Sequence, residues 1–225
     1  MRRILPRLVL VAILGAPVFL AGCQTTYYKA MEAVGKHKRD LLVERVEAAQ
    51  AEQGAAKEQF ASALEQFSAL VGFDGGDLQE AYDKAKSSYE ASKTRAERVS
   101  SRIDSVESVG EDLFSEWKSE LKQYSSDDLR RASQAQMEAT RKRYDELLRA
   151  MRRAEKSMGP VLSAFGDQVL FLKHNLNARA IASLKGSLAD LQTDIAQLVQ
   201  EMEASIAEAE RFVREMRSDE SAGTR

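Results

Sequence analysis

Residues 42–70 read LVERVEAAQAEQGAAKEQFASALEQFSAL, and the spacing of their apolar side chains decides the fold. Alternating steps of four and three residues from Leu42 land on Val46, Ala49, Gln53, Ala56, Phe60, Ala63, Phe67 and Leu70. Only Gln53 interrupts the seam. A 3.5-residue repeat holds one stripe of a helix against a neighbour along its whole length, whereas a half-buried strand would alternate with period two.

The same walk succeeds twice more. From Leu78 it passes Tyr82, Ala85, Tyr89, Ser92, Ala96, Val99, Ile103, Val106, Gly110, Leu113 and Trp117. From Leu184 it passes Leu188, Leu191, Ile195, Leu198, Met202, Ser205, Ala209, Phe212 and Met216. The small residues on these seams, Gly110 among them, predict close approach of neighbouring helices. Composition agrees: beyond residue 22 the only proline is Pro160, and Ala, Glu, Lys, Arg, Leu, Gln and Ser dominate, the profile of long packed helices.

Breaks between the seams have their own chemistry. Phe73-Asp74-Gly75-Gly76 stops the first helix, and Asp77 with Glu80 reads as a capping box for the second. At Ser125-Ser126-Asp127-Asp128 a serine cap precedes two acids placed in the first turn, where the helix dipole favours them. A third helix carries Leu129, Tyr144, Leu147, Met151, Ala154 and Met158 to Gly159-Pro160, where proline must end or kink it.

Beyond Pro160 two registers compete. Val169, Leu172 and Leu176 follow one, and Leu170, His174, Asn177, Ile181 and Leu184 follow the other. A turn at His174-Asn175-Leu176-Asn177 gives four helices of about 40–50 residues, each roughly 60–75 Å long, in an up-down-up-down bundle. The competing picture has three long helices, the last kinked at Pro160. The expected class is all-α, an elongated antiparallel bundle or coiled coil of three to four long helices.

The N-terminus carries an address. Arg2, Arg3 and Arg7 lead into an apolar run from Leu8 to Leu20, too short for the roughly 20 residues of a membrane span but suited to a signal peptide. Leu20, Ala21 and Gly22 before Cys23 resemble a bacterial lipobox. The small residues admit a signal peptidase, and Cys23 is the point of cleavage and of acylation by a diacylglycerol thioether and fatty acyl chains such as palmitate. Two or more chains make a firm anchor where one would not. Gln24, in place of the aspartate that retains lipoproteins at the inner membrane, implies the periplasmic face of the outer membrane of a Gram-negative bacterium. The expected organisation is a cleaved leader over 1–22, a lipidated tether over 23–29, one helical domain over 30–217 and a disordered tail over 218–225.

Chemistry is sparse by comparison. Cys23 is the only cysteine, so no disulfide and no cysteine-based zinc site is available. Neither His37 nor His174 belongs to a Glu-x-x-His pair, which removes the di-metal site of carboxylate bundles. Ser119 and Lys122 match Ser-x-x-Lys without its partner motifs, and no phosphate-cradling Gly-x-x-x-x-Gly-Lys loop is present. No enzyme activity, cofactor, metal or small-molecule substrate is expected. Without the three leader arginines, 30 Lys and Arg face 35 Asp and Glu, a mildly acidic balance that gives no reason to expect nucleic acid.

Three polar features are candidates for recognition. Lys36, His37, Lys38 and Arg39 follow the anchor closely enough to meet anionic headgroups. Arg141, Lys142 and Arg143 lead a second basic cluster, continued by Arg149–Arg153. Lys173, His174, Asn175, Asn177 and Arg179 form the most unusual composition in a repetitive chain. The bland reading of each is a solvated, salt-bridged face, or for the last a turn or a polar register pin.

Tyr27-Tyr28-Lys29-Ala30-Met31-Glu32, Val34-Gly35-Lys36-His37-Lys38-Arg39-Asp40, Phe73-Asp74-Gly75-Gly76-Asp77-Leu78 and the run Val169 to Ile181 resemble the bacterial predicted lipoproteins grouped as domain of unknown function 2959. The resemblance implies a helical envelope protein and no functional residues. The expected role is a structural or protein-interaction scaffold, held to the bilayer through acylated Cys23 and binding another envelope protein or itself through its helices. The alternative is a membrane-surface or peptidoglycan-binding module that uses the basic faces. Linkage of the C-terminus to peptidoglycan is disfavoured, because the chain ends on Arg225 rather than lysine.

Overall fold

A computed structural model describes residues 37–223. Four long helices account for most of them: α1, Lys38–Val71; α2, Leu78–Glu120, followed by a single 3₁₀ turn, Leu121–Gln123; α3, Asp127–His174; and α5, Lys185–Gly223, preceded by the short α4, Ala178–Ser183. Among the described residues there is no strand. Consecutive long helices run antiparallel, so the turns at 72–77 and 175–184 share one end of the bundle, called the tip below. The α2–α3 connection lies at the other end, with Lys38.

Each seam is buried. All nine residues from Leu42 to Leu70 on the α1 repeat are buried, Gln53 included. On α2 the residues Tyr82, Ala85, Ser92, Val99, Ile103, Val106, Gly110 and Leu113 are buried and Leu78, Tyr89, Ala96 and Trp117 half-buried, and on the seam that starts at Leu184 nine of the ten expected positions are buried, with Leu188 half-buried. Buried aromatics tie the layers together. Phe165 meets the rings of Phe67 and Tyr89 edge-on at 5.3 and 5.6 Å, and Tyr144 packs on Phe114 at 5.3 Å and Phe212 at 6.5 Å, separations at which aromatic pairs are favourable beyond their area.

The helices form a ring in which α1 neighbours α2 and α5, and α3 neighbours α2 and α5. Polar contacts between flanks record the register. Arg95 reaches Glu52 at 2.7 Å and Gln59 reaches the Ser88 carbonyl at 3.3 Å, so α1 climbs as far as α2 descends. On the next edge Arg152 of α3 bonds Asp104 and Glu107 of α2 and Glu155 of its own helix. Burial opposes the Arg152 charge, but these hydrogen bonds outweigh it and push its pKa further up. Arg143 and Arg153 reach Glu215 and Glu201 from α3 to α5. Lys57–Glu203 and Arg217–Glu47 close the ring between α1 and α5.

The residue that interrupted the opening seam has a partner. Ser205 donates its hydroxyl to Gln53 Oε1 at 2.9 Å inside the core, and both residues are fully buried. Gln53 Nε2 is buried without a partner. Each of the two positions breaks its own repeat, and the fold sets them opposite each other.

Caps follow the sequence with one difference. Asp77 accepts from the Gln79 and Glu80 amides at 2.9 and 3.1 Å, but the Glu80 side chain pairs with Lys84 instead of returning to the cap. Ser126 accepts from the Leu129 amide at 3.4 Å. Gly76, with φ of 111°, supplies the left-handed residue that the 72–77 turn requires.

Four expectations change. The chain turns at 175–177, so the picture of three helices is excluded. Pro160 neither ends α3 nor lies in the core: it is exposed in a helix that continues to His174, so solvent can take up the carbonyl that the proline leaves without a donor. Leu129 is 60% exposed rather than on the seam, because the first turn of α3 projects past its neighbours. Finally, α5 continues beyond Ser218 to Gly223. Asp219, expected in a disordered tail, accepts from Arg143 at 2.9 Å and Gln136 at 2.8 Å and pairs with Arg39 at 3.6 Å.

Candidate functional site

Apolar and cationic groups face solvent together at both ends of the bundle, Tyr124 and Leu129 beside Lys122, Arg130 and Arg131 at one and Leu170 and Phe171 beside Lys173 and Arg179 at the tip. At the end of α3, Val169 and Leu172 turn inward. Leu170 and Phe171, one and two positions round the helix from Val169, therefore point away from the core, 60% and 42% exposed. Of the two registers, the one through Val169 and Leu172 is the core, and the one through Leu170 and His174 lies outside until Ile181 and Leu184 turn inward after the turn.

Asn175 and Asn177 build the turn itself. The Asn175 amide bonds the Leu172 carbonyl at 3.2 Å and its Nδ2 bonds the Phe171 carbonyl at 3.0 Å. Asn177 caps α4 by accepting from the Ala180 amide at 3.0 Å. Both asparagines of the expected recognition set thus serve the turn, and they lie exposed with Lys173, His174 and Arg179. From Gln168 to Ala189 the sequence holds Lys173, Arg179 and Lys185 and no carboxylate.

The other two clusters are largely spent inside the protein. Lys38 pairs with Glu116 at 3.1 Å. Arg39 is held between Asp219 and the Met216 sulfur, with its Nε buried. Arg143 divides between Glu215, Asp219 and Thr140. Lys36, Cys23 and the Leu20–Gly22 motif lie outside the described residues. His37 is exposed.

Arg141 has a different setting. It stacks 5.0 Å from the Phe114 ring centroid and 5.6 Å from that of Tyr144, and its Nε donates to Asp145 at 2.9 Å. It lies on a groove of about 620 Å³ between α2 and α3, with Met137 and Phe114 in the groove and Lys118, Lys142 and Arg149 at its sides. Glu111, Glu138 and Asp145 line it too, so the groove is mixed in charge. Burial, reinforced by Glu107, pushes the Tyr144 hydroxyl well above the usual tyrosine range, which keeps it neutral as a donor to the Glu107 carbonyl at 3.3 Å.

Ser119 lies exposed in the last turn of α2, with Lys122 in the 3₁₀ turn that follows. Among the described residues no three His, Cys, Asp or Glu side chains are grouped to hold a metal ion, and no helix is long and apolar enough to cross a membrane.

A family model described as protein of unknown function (DUF2959) matches residues 27–216. No curated protein and no solved structure matches the chain.

Proposed function

We infer the function from the premise that this chain belongs to the DUF2959 family of proteins of unknown function, which leaves its role to its own residues. The proposal is a lipoprotein of the outer membrane, anchored in the periplasmic leaflet through acylated Cys23, whose helical bundle serves as a structural or protein-interaction scaffold. The Leu20-Ala21-Gly22-Cys23 motif after a short apolar leader supports the anchor. The observation that carries the scaffold is the tip. A bundle that buries its three apolar seams nonetheless leaves Leu170 and Phe171 exposed beside Lys173, His174 and Arg179, a mixture of apolar anchor and polar rim that serves recognition.

Two measurements test this. Cys23→Ser should abolish lipid labelling and release the protein from the membrane fraction with its helicity unchanged; persistent membrane association would refute the anchor as the attachment. A photo-crosslinking residue at position 171 should give protein adducts in cells. Their absence there, with the protein folded and in place, would refute the scaffold.

A further inference from the structure

The two turns at the tip carry opposite charge, and the ring order of the helices sets them on opposite sides. The 72–77 turn joins α1 to α2, and the 175–184 connection joins α3 to α5. Because α1 and α2 form one edge of the ring and α3 and α5 the edge across from it, these connections cross opposite edges of the same end, with α4 packed against α1 between them. Their charges are one-sided over long stretches. From Glu58 to Asp83 the chain has Glu58, Glu65, Asp74, Asp77, Glu80 and Asp83 and no Lys or Arg. From Gln168 to Ala189 it has three cations and no carboxylate.

We propose that the tip is an interface between copies of this chain, in which the Leu170, Phe171, Lys173 and Arg179 edge of one molecule receives the acidic 72–83 edge of the next. The partner's chemistry is present in the molecule. The basic edge calls for carboxylates, and the opposite edge supplies the exposed Asp74 and Asp83, beside Asp77 on its cap and Glu80 paired with Lys84, with Phe73 and Leu78 half-buried around the turn to meet the exposed Leu170 and Phe171. An anionic membrane is the poorer occupant, since the acidic edge at the same end would be repelled from it.

The symmetry follows from the placement. An end-to-end two-fold pair would satisfy both edges, but copies that stand side by side in one orientation make a heterologous contact, and one that does not close extends into a row. This step rests on the anchoring proposed above: copies tethered through Cys23 to one surface share an orientation, which brings like tips to like heights. Confinement to a surface also raises the effective concentration, so a small contact suffices.

The test uses the full-length lipidated protein in cells, carrying both Asp74→Cys and Arg179→Cys and treated with a short bismaleimide. Asp74 lies in the turn and caps no helix, so its replacement spares the fold, as circular dichroism of the purified variant checks. The double variant should give a ladder of dimers, trimers and higher species, and each single variant only monomer. Adding Lys173→Glu and Lys185→Glu should abolish the ladder, and further adding Glu80→Lys and Asp83→Lys should restore it. Dimers from Arg179→Cys alone, adducts to a different protein or to lipid only, or no adduct would each overturn the proposal. Fractionation of the same cells is read separately. Membrane-bound protein without a ladder overturns the row and leaves the anchor standing. Soluble protein with a ladder overturns the anchor and leaves the tip contact standing.

Discussion

Replacing Gly110 by alanine should destabilise the bundle, although glycine is among the poorest residues for the middle of a helix. A Cβ at position 110 would lie 2.4 Å from Cε2 and Cζ of Tyr144 and 2.5 Å from its hydroxyl, more than 1 Å inside the roughly 3.5–4.0 Å of an ordinary carbon contact. The ring cannot step aside. It is fully buried between Phe114 and Phe212, and its hydroxyl donates to the Glu107 carbonyl. Overpacking of this kind costs about 1–3 kcal/mol, and loss of the hydrogen bond about 1 kcal/mol more. The gain in helix propensity returns about 1 kcal/mol, so a net loss of about 2 kcal/mol is expected.

At about 2–4 °C per kcal/mol for a domain of this size, that is a fall in melting temperature of about 4–8 °C. Gly54→Ala is the control, because a Cβ there meets nothing within 4 Å and the propensity gain of about 0.5–1 kcal/mol stands alone. Melting followed by circular dichroism at 222 nm on the mature Cys23→Ser chain reads both. In a Tyr144→Ala background, Gly110→Ala should become neutral or stabilising, because the collision is gone. If Gly110→Ala melts at or above the parent, or costs as much without Tyr144 as with it, the packing argument is wrong.

Three further outcomes follow from single features. Replacing Gln53 by leucine together with Ser205 by alanine should raise stability by about 1–2 kcal/mol, since it removes a buried unpartnered Nε2 and its hydroxyl neighbour at once; lower stability in a chemical denaturation curve would count against it. Pro160→Ala should stabilise by about 1–3 kcal/mol by restoring a backbone hydrogen bond to an exposed helical position, and an unchanged or lower midpoint would show that the proline shapes α3 to its neighbours. Tyr144 has a folded pKa raised above its unfolded value of about 10, so its share of stability is intact below that pH and lost as pH rises toward the folded pKa. Tyr144→Phe should therefore lose less stability than the parent between pH 9 and pH 11, at about 1 kcal/mol per pH unit above 10; parallel curves would remove Tyr144 from the alkaline transition.

Much of the architecture was legible because burial in a long bundle is nearly one-dimensional. A seam position is buried by its spacing alone, and the breaks at 72–77 and 124–126 carry their own turn and cap residues. Leu129 and Leu170 show the limit: both are apolar and helical, yet both lie outside the core because a helix end or the opposite face leaves them no neighbour. Gly166 shows another. It admits the Tyr89 hydroxyl, to which a Cβ would come within 2.7 Å, and no spacing rule finds a small residue off the seam.

The tip was half legible. Lys173 to Arg179 stood out by composition, but only the backbone separates the turn-building Asn175 and Asn177 from Lys173, His174 and Arg179. Arg143, Lys38 and Arg39 looked like surface charge and proved to be bound within the fold, since their partners Glu215, Glu116 and Asp219 are far away in sequence.

By itself the sequence determined long packed helices, their inward stripes and most of their ends, though not the turn at 175–177, because these depend on neighbours three to seven residues away. Tertiary structure alone decided which helix flanks which, that Gln53 meets Ser205, that Tyr144 fills the space left by Gly110, and that the acidic and basic turns occupy opposite edges of one end. Each of these depends on pairs separated by tens of residues or more, and a heptad pattern that lets any helix pack on any other does not say which pairing wins.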